Sequence, residues 1–322
     1  MITAEALAER AFLLHEMLRA CTLCPHRCRV DRLAGELGRC RSGALARVAS
    51  SCAHHGEEPC LSGTGGAGTV FLAGCNLHCV YCQNHQISQG DISAYPAYDN
   101  EQLADIFLAL QTQGCHNLDW VSPTQLVPQL VAALAIARDS GLLLPVVYNC
   151  NGYEELATLQ LLEGIVDIYL PDLKYAYAGT AARFSAAPDY PDIAISAIKE
   201  MFRQVGTLQI NDDGVATRGV IVRHLVLPHN LAGSHVALRR LAEEVSPDIT
   251  VSLMAQYYPT HRAGEFPELA RPLIAAEYED ALDAFADAGL ENGWSQELDG
   301  AAECYQPDFT REIPFEQVRN VG

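Results

Sequence analysis

The stretch Thr69-Val70-Phe71-Leu72-Ala73-Gly74-Cys75-Asn76-Leu77-His78-Cys79-Val80-Tyr81-Cys82-Gln83-Asn84 runs a short apolar segment straight into a loop with three cysteines. The segment reads as a strand that stops at Gly74. Cubane 4Fe–4S clusters are usually held by four cysteine thiolates. A local set of three leaves one iron open, as a catalytic zinc keeps one position for chemistry. Two plainer readings are a zinc knuckle and three packed thiols. Cysteine is often a small buried hydrophobe, but Gly74 and the polar residues around these three argue for ligation.

From residue 68 onward, apolar runs alternate with helical patterns. Thr69–Ala73, Leu118–Ser122, Leu144–Asn149, Val166–Leu170, Val220–Leu227 and Ile249–Gln256 read as six strands. They are continuous apolar runs, as in parallel strands covered on both faces. Between them, Leu103, Ile106, Phe107 and Leu110 carry helical spacing, started by Asp99 or Asn100 and stopped by Gly114. Helices are also predicted near 123–140, 153–163, 191–205, 234–245 and 272–288. This alternation predicts an α/β fold, a partial (β/α)6 TIM-like barrel of parallel strands. A doubly wound open sheet is the alternative. Barrel sites lie at the C-terminal ends of strands, which is where the three-cysteine loop falls. No G-x-G-x-x-G or P-loop pattern is present. The expected division is an N-terminal Cys-rich extension (1–67), the core (68–290) and a tail (291–322).

Composition narrows the function class. The chain has 322 residues, 49% of them hydrophobic, as in a soluble globular enzyme. A net charge of −19 repels phosphate backbones, so nucleic acid is excluded as the main partner. The longest apolar runs, such as Leu142–Tyr148, are too short to span a membrane. Residues 1–20 lack a signal-peptide design; Leu7, Ala11, Leu14 and Leu18 put one apolar face on a helix. Twelve cysteines without a secretory signal point to a reducing cytoplasm and to metal rather than disulfides. Cys52, Cys60, Cys115, Cys150 and Cys304 are scattered and read as small buried hydrophobes.

The spacing C-x3-C-x-aromatic-C at Cys75, Cys79, Tyr81 and Cys82 resembles the radical SAM superfamily. That likeness implies that the open iron chelates the amino and carboxylate groups of S-adenosylmethionine (SAM). An electron passed to its sulfonium then yields a 5′-deoxyadenosyl radical. Asn149-Cys150-Asn151-Gly152 and Pro171-Asp172-Leu173-Lys174 look like strand-end motifs of glycyl-radical-enzyme activases, such as pyruvate formate-lyase activating enzyme. There the motifs read D-T-N-G and D-x-K and surround the SAM amino acid, partly through a monovalent cation. Asn149 stands where the family has aspartate. Activases carry S-G-G-E after the second strand, whereas here the run is Ser122-Pro123-Thr124-Gln125. Pro123 has no N–H to offer, which leaves hydroxyl or carbonyl groups of Ser122 and Thr124. Arg223 matches the family's fifth-strand arginine; a charge in an apolar strand needs a partner, either the SAM carboxylate or a carboxylate of the chain. Gln256 and Tyr257 end the sixth strand. By resemblance the SAM-binding set is Tyr81, Ser122, Thr124, Asn149, Asn151, Asp172, Lys174 and Arg223, with Tyr81 against the adenine.

The nearest likeness is to the PflX-like branch of that superfamily. It is carried by Cys21-Thr22-Leu23-Cys24-Pro25-His26-Arg27-Cys28, Gly56-Glu57-Glu58-Pro59, Tyr148-Asn149, Pro171-Asp172-Leu173-Lys174, Pro307-Asp308-Phe309 and Pro314-Phe315-Glu316. Cys21, Cys24, Cys28 and Cys40 put four thiolates within twenty residues, suited to structural zinc or to a fully ligated auxiliary Fe–S cluster.

The resemblance implies an oxidoreductase or lyase that abstracts hydrogen from an unknown substrate, a glycine on a partner protein or a small molecule. An electron donor such as flavodoxin or ferredoxin would supply it. The competing class is a non-catalytic Fe–S electron carrier or a zinc-stabilised interaction protein.

Overall fold

A computed structural model of the chain describes residues 2–298, 306–311 and 314–315. Cys304 and Glu316 lie outside the described residues. The strands are β1 (Ala46–His54), β2 (Ala67–Leu72), β3 (Ala97–Tyr98), β4 (Leu118–Val121) and β5 (Val146–Cys150). They continue with β6 (Ile168–Pro171), β7 (Gln209–Ile210), β8 (Ala216–Leu225), β9 (Thr250–Met254) and β10 (Gly293–Ser295). The helices are α1 (Ala4–Glu16), α2 (Pro59–Ser62), α3 (His85–Ser88), α4 (Asn100–Thr112) and α5 (Val127–Asp139). The remainder are α6 (Leu156–Leu161), α7 (Ala178–Ser185), α8 (Tyr190–Val205), α9 (Ser234–Glu244) and α10 (Ala275–Asp287).

The fold is α/β with one mostly parallel sheet that does not close, in the order β10-β9-β8-β6-β5-β4-β2-β1-β3. The six strands expected from the apolar runs are β2, β4, β5, β6, β8 and β9, and all six are parallel. Register aligns their ends: Phe71, Val121, Asn149 and Leu170 lie in one row across four strands. The residues just past that row therefore share one edge of the sheet.

Neither flank of the chain is separate from this sheet. β1 pairs antiparallel with β2, from Val48–Leu72 to His54–Ala67, and β10 pairs parallel with β9. The expected boundary at residue 67 thus falls at the start of β2, inside a continuous sheet. Phe309 stacks edge-on against Phe71, with centroids 5.3 Å apart, so the described part of the tail packs on the core.

α4 begins with the capping box that Asp99 and Gln102 form, each side chain accepting the other's backbone N–H; such a cap is worth about 1 kcal/mol. Its Phe107 meets Trp120 of β4, both fully buried between helix and sheet. The other face of the sheet holds Cys60 and Leu61 of α2 against Val147, Ile168, Leu170 and Ile221. Thr3 caps α1 by accepting from the Ala6 N–H; of the expected apolar face Leu7, Leu14 and Leu18 are buried and Ala11 is half-buried against the core. α1 lies on α5. Among the described residues no helix is long and apolar enough to cross a membrane.

Because Leu14 is wholly buried, Leu14→Ala should lower unfolding stability by about 2–5 kcal/mol. Denaturant unfolding checks this; a loss below about 0.5 kcal/mol would mean that α1 is not docked on the core.

Candidate metal and cofactor site

The three-cysteine loop leaves β2 at Gly74, whose φ of +87° is left-handed. A Cβ there would sit 2.8 Å from the Cys40 carbonyl oxygen and 2.9 Å from Ser42 Oγ, so only glycine fits. Beyond it Cys75 and Cys79 are buried and Cys82 is half-buried. Each sulfur has a polar partner from a different part of the chain. Asn151 Nδ2 donates to Cys75 Sγ at 3.4 Å, Ser185 Oγ donates to Cys79 Sγ at 3.0 Å, and Ser88 Oγ stands 3.3 Å from Cys82 Sγ. Burial pushes all three thiols up, Cys82 to about 11; Cys82 and Cys79 raise Cys75 further, and Cys79 raises Cys82. As thiolates they need positive charge, which a metal supplies by displacing the protons. Among the described residues no three His, Cys, Asp or Glu side chains form a ready single-ion site. Three soft thiols with a polar partner on each fit iron–sulfur ligation, where such hydrogen bonds set the potential.

The other expected residues collect at the same edge. Asn151 links the loop to β5: besides Cys75 it donates to Asn76 Oδ1 at 2.6 Å and accepts the Tyr153 N–H. Lys174 and Asp172 pair at 2.5 Å, as a loop ion pair would. Burial works against the Lys174 charge, but Asp172 and Cys79 more than offset it, so its pKa is raised. Lys174 in turn favours the thiolate forms of Cys79 and Cys82. Tyr81 is buried edge-on between Tyr175 and Tyr257, where its ring packs the loop. The Thr124 hydroxyl is taken by Glu154, to which it donates at 2.6 Å. The Ser122 carbonyl accepts from Gln125 Nε2 at 2.7 Å, and Ser122 itself has a φ of +57°.

Arg223 finds its carboxylates within the chain. Its Nε donates to Glu58 Oε1 at 2.8 Å, Nη2 donates to both Glu57 and Glu58, and Nη1 reaches Asn149 Oδ1 at 3.2 Å. Of the two partners foreseen for Arg223, the structure thus holds the carboxylate of the chain. Despite burial these partners lift the guanidinium pKa well above its usual value. Fully buried Asp119 of β4 joins them; loss of water, then Glu57, push its carboxyl well up. Asn149 Nδ2 stands 3.5 Å from its Oδ2.

Sequence reasoning missed Glu57, Glu58, Asp119, Glu154, Ser88 and Ser185 as site residues. A lone Asp inside Leu118-Asp119-Trp120-Val121 was the available signal for one of them. Glu154 is also buried, and desolvation raises its carboxyl to about 7 despite donors from Thr124 and Tyr148. The N-terminal thiols Cys21, Cys24, Cys28 and Cys40 line one small cavity together with Asn76.

An archaeal protein from Methanocaldococcus jannaschii, bearing the name Uncharacterized protein MJ0674, is 32% identical to this chain over 274 residues. The match covers 83% of this chain and 74% of the archaeal protein. The chain belongs to the same family as MJ0674. No family model matches it.

Two outcomes follow from the buried charges. Arg223→Met strands Glu57 and Glu58 without a cation and should cost about 3–5 kcal/mol in urea unfolding; a loss under about 1 kcal/mol would contradict the ion cluster. Glu154 has a folded pKa raised above that of an exposed glutamate, so the folded chain holds the extra proton. Its stabilising contribution is full below pH 4.5 and is lost as pH rises through about 7. Wild type should therefore lose on the order of 3 kcal/mol relative to Glu154→Gln across that window. Parallel pH dependences of the two would contradict it.

Proposed function

We propose that this chain is a radical SAM enzyme of the PflX-like branch, with β2, β4, β5, β6, β8 and β9 as the staves of a partial (β/α)6 barrel. One observation carries the reading. Three thiols, two buried and one half-buried, follow the first parallel strand at the sheet edge where Asn149, Asn151, Asp172 and Lys174 also lie, and each sulfur has its own polar partner. When bound there, a three-thiolate 4Fe–4S cluster with an open iron would cleave SAM reductively to methionine and a 5′-deoxyadenosyl radical, which abstracts hydrogen from a substrate.

The chain's residues then have separable tasks. Cys75, Cys79 and Cys82 are the metal ligands. Asn151, Ser185 and Ser88 hold the sulfurs in place and stabilise their negative charge. Lys174 supplies a cation beside two of the sulfurs, and Asp172 keeps it charged. With Asn149 and Ser122, this pair is the polar group facing the SAM amino acid. Arg223 is a positioning residue: it fixes Asn149 from below while its own charge is spent on Glu57 and Glu58. Buried aromatic rings around Tyr81 exclude water from the loop. Hydrogen abstraction from a partner protein's glycine, as in an activase, is one form of the reaction, and a small-molecule substrate is the other. The electron comes from a cytoplasmic carrier such as flavodoxin or ferredoxin.

The test is anaerobic reconstitution with iron and sulfide, then dithionite and SAM, with 5′-deoxyadenosine followed by chromatography. Wild type should form it, and Cys79→Ala should fall to the level of a no-protein control. A reduced wild-type cluster that leaves SAM intact would sink the proposal in favour of a non-catalytic electron carrier.

A further inference from the structure

Four thiols between residues 21 and 40 surround a single cavity outside the site just described. Cys21, Cys24, Cys28 and Cys40 all line it. Local backbone geometry brings them there. The Cys21 N–H donates to the Val30 carbonyl at 3.0 Å and the Arg29 N–H to the Cys21 carbonyl at 2.9 Å, folding the segment back on itself. The Arg27 N–H closes a turn onto the Cys24 carbonyl at 2.9 Å. Gly38 lets the returning chain press on Cys28: a Cβ there would stand 3.0 Å from Cys28 Sγ.

Two guanidinium groups line the same cavity. Arg32 is 1% exposed. Its Nη1 and Nη2 donate to the carbonyls of Gln125 and Gly43 at 2.7 and 2.6 Å, and Nη1 is 4.0 Å from Cys21 Sγ. Among the described residues its Nε has no hydrogen-bond partner, nor has the buried Nε of Arg39. Neither arginine is ion-paired with a described carboxylate. A cation this deeply buried needs an anion beside it, and neutral thiols are not one. Four thiolates on a divalent metal or an iron–sulfur core carry more negative charge than the metal neutralises.

We infer that Cys21, Cys24, Cys28 and Cys40, which line one cavity but do not stand ready around a single ion, draw together on binding to hold a second metal as a closed, anionic four-thiolate centre seated on Arg32 and Arg39. Binding replaces four S–H bonds by metal–sulfur bonds and releases the protons to solvent, with no change of oxidation state. The closed ligand set leaves no position for a substrate, so this centre supports the fold or relays electrons. It also shares a wall with the catalytic loop. Asn76 and Gln125 line the cavity; Asn76 Oδ1 accepts from Asn151, which donates to Cys75, and Gln125 Nε2 donates to the Gly74 carbonyl at 2.9 Å. The inference does not depend on SAM chemistry.

Cys28 is exposed, which makes it the reporter. The full chain, reconstituted anaerobically with zinc or with iron and sulfide, is treated with iodoacetamide and read by mass spectrometry. Cys28 should resist alkylation until a chelator is added, then react together with Cys40. In a Cys75→Ala/Cys79→Ala/Cys82→Ala variant, metal analysis should still find either about one zinc or a set of irons with matching sulfide, which separates the two metals. That variant isolates this site from the SAM reading, so either can fail alone. Prompt alkylation of Cys28 in the reconstituted wild-type chain, with no metal retained by the triple variant, would overturn the inference.

Discussion

A guanidinium placed inside a parallel sheet cannot shed its water unless carboxylates meet it, and Arg223 sets that condition for this molecule. Glu57 and Glu58 meet it from the segment before α2. The same segment carries Cys60 and Leu61 onto the sheet face beneath. One ion cluster thus ties β8 in the second half of the chain to the turn between β1 and β2. Removing one partner would leave buried charge behind, which is why such clusters act as all-or-none constraints. Asn149 sits on this layer through Arg223 and Asp119, so the polar edge above inherits its position from the charges below.

The three-cysteine loop is built the opposite way. Its thiols are held in a place hostile to their ionised form, and the surrounding groups only partly relieve this. Asn151, Ser185 and Ser88 come from three separate parts of the chain, and Lys174 from a fourth. Such an arrangement is poor for free thiolates and good for a positively charged metal core. Tyr190 closes the shell: its hydroxyl stands 2.8 Å from the carbonyls of both Asn151 and Asp172, which share its one O–H, and accepts from the Lys174 N–H at 3.0 Å.

Much of this was legible in the sequence because burial on both faces leaves an unmistakable trace. Strands such as Val146–Cys150 are buried throughout and, Asn149 aside, apolar, and α4 announces its start through Asp99. β1 was missed because Arg47, Ser50 and Ser51 break its apolar pattern; it has a neighbour on each side but only one well-covered face. β10 is three residues long and leaves no periodic signal. α7 was missed too, and with it Ser185, whose role arises from a contact across 106 positions. The apolar strand around Arg223 demands a partner, but nothing in Gly56-Glu57-Glu58-Pro59 ties that run to a residue about 165 positions later. Thr124 was assigned to the cofactor by motif position, whereas the buried Glu154 claims its hydroxyl.

The central claim is that Cys75, Cys79 and Cys82 hold a cluster with one iron open to SAM. Electron paramagnetic resonance of the dithionite-reduced chain, with and without SAM, tests it most directly. The account predicts a reduced 4Fe–4S signal that shifts on adding SAM and is lost in the Cys75/Cys79/Cys82 triple variant. Absence of any SAM-responsive component in the wild-type signal, or survival of such a component in that variant, would contradict it.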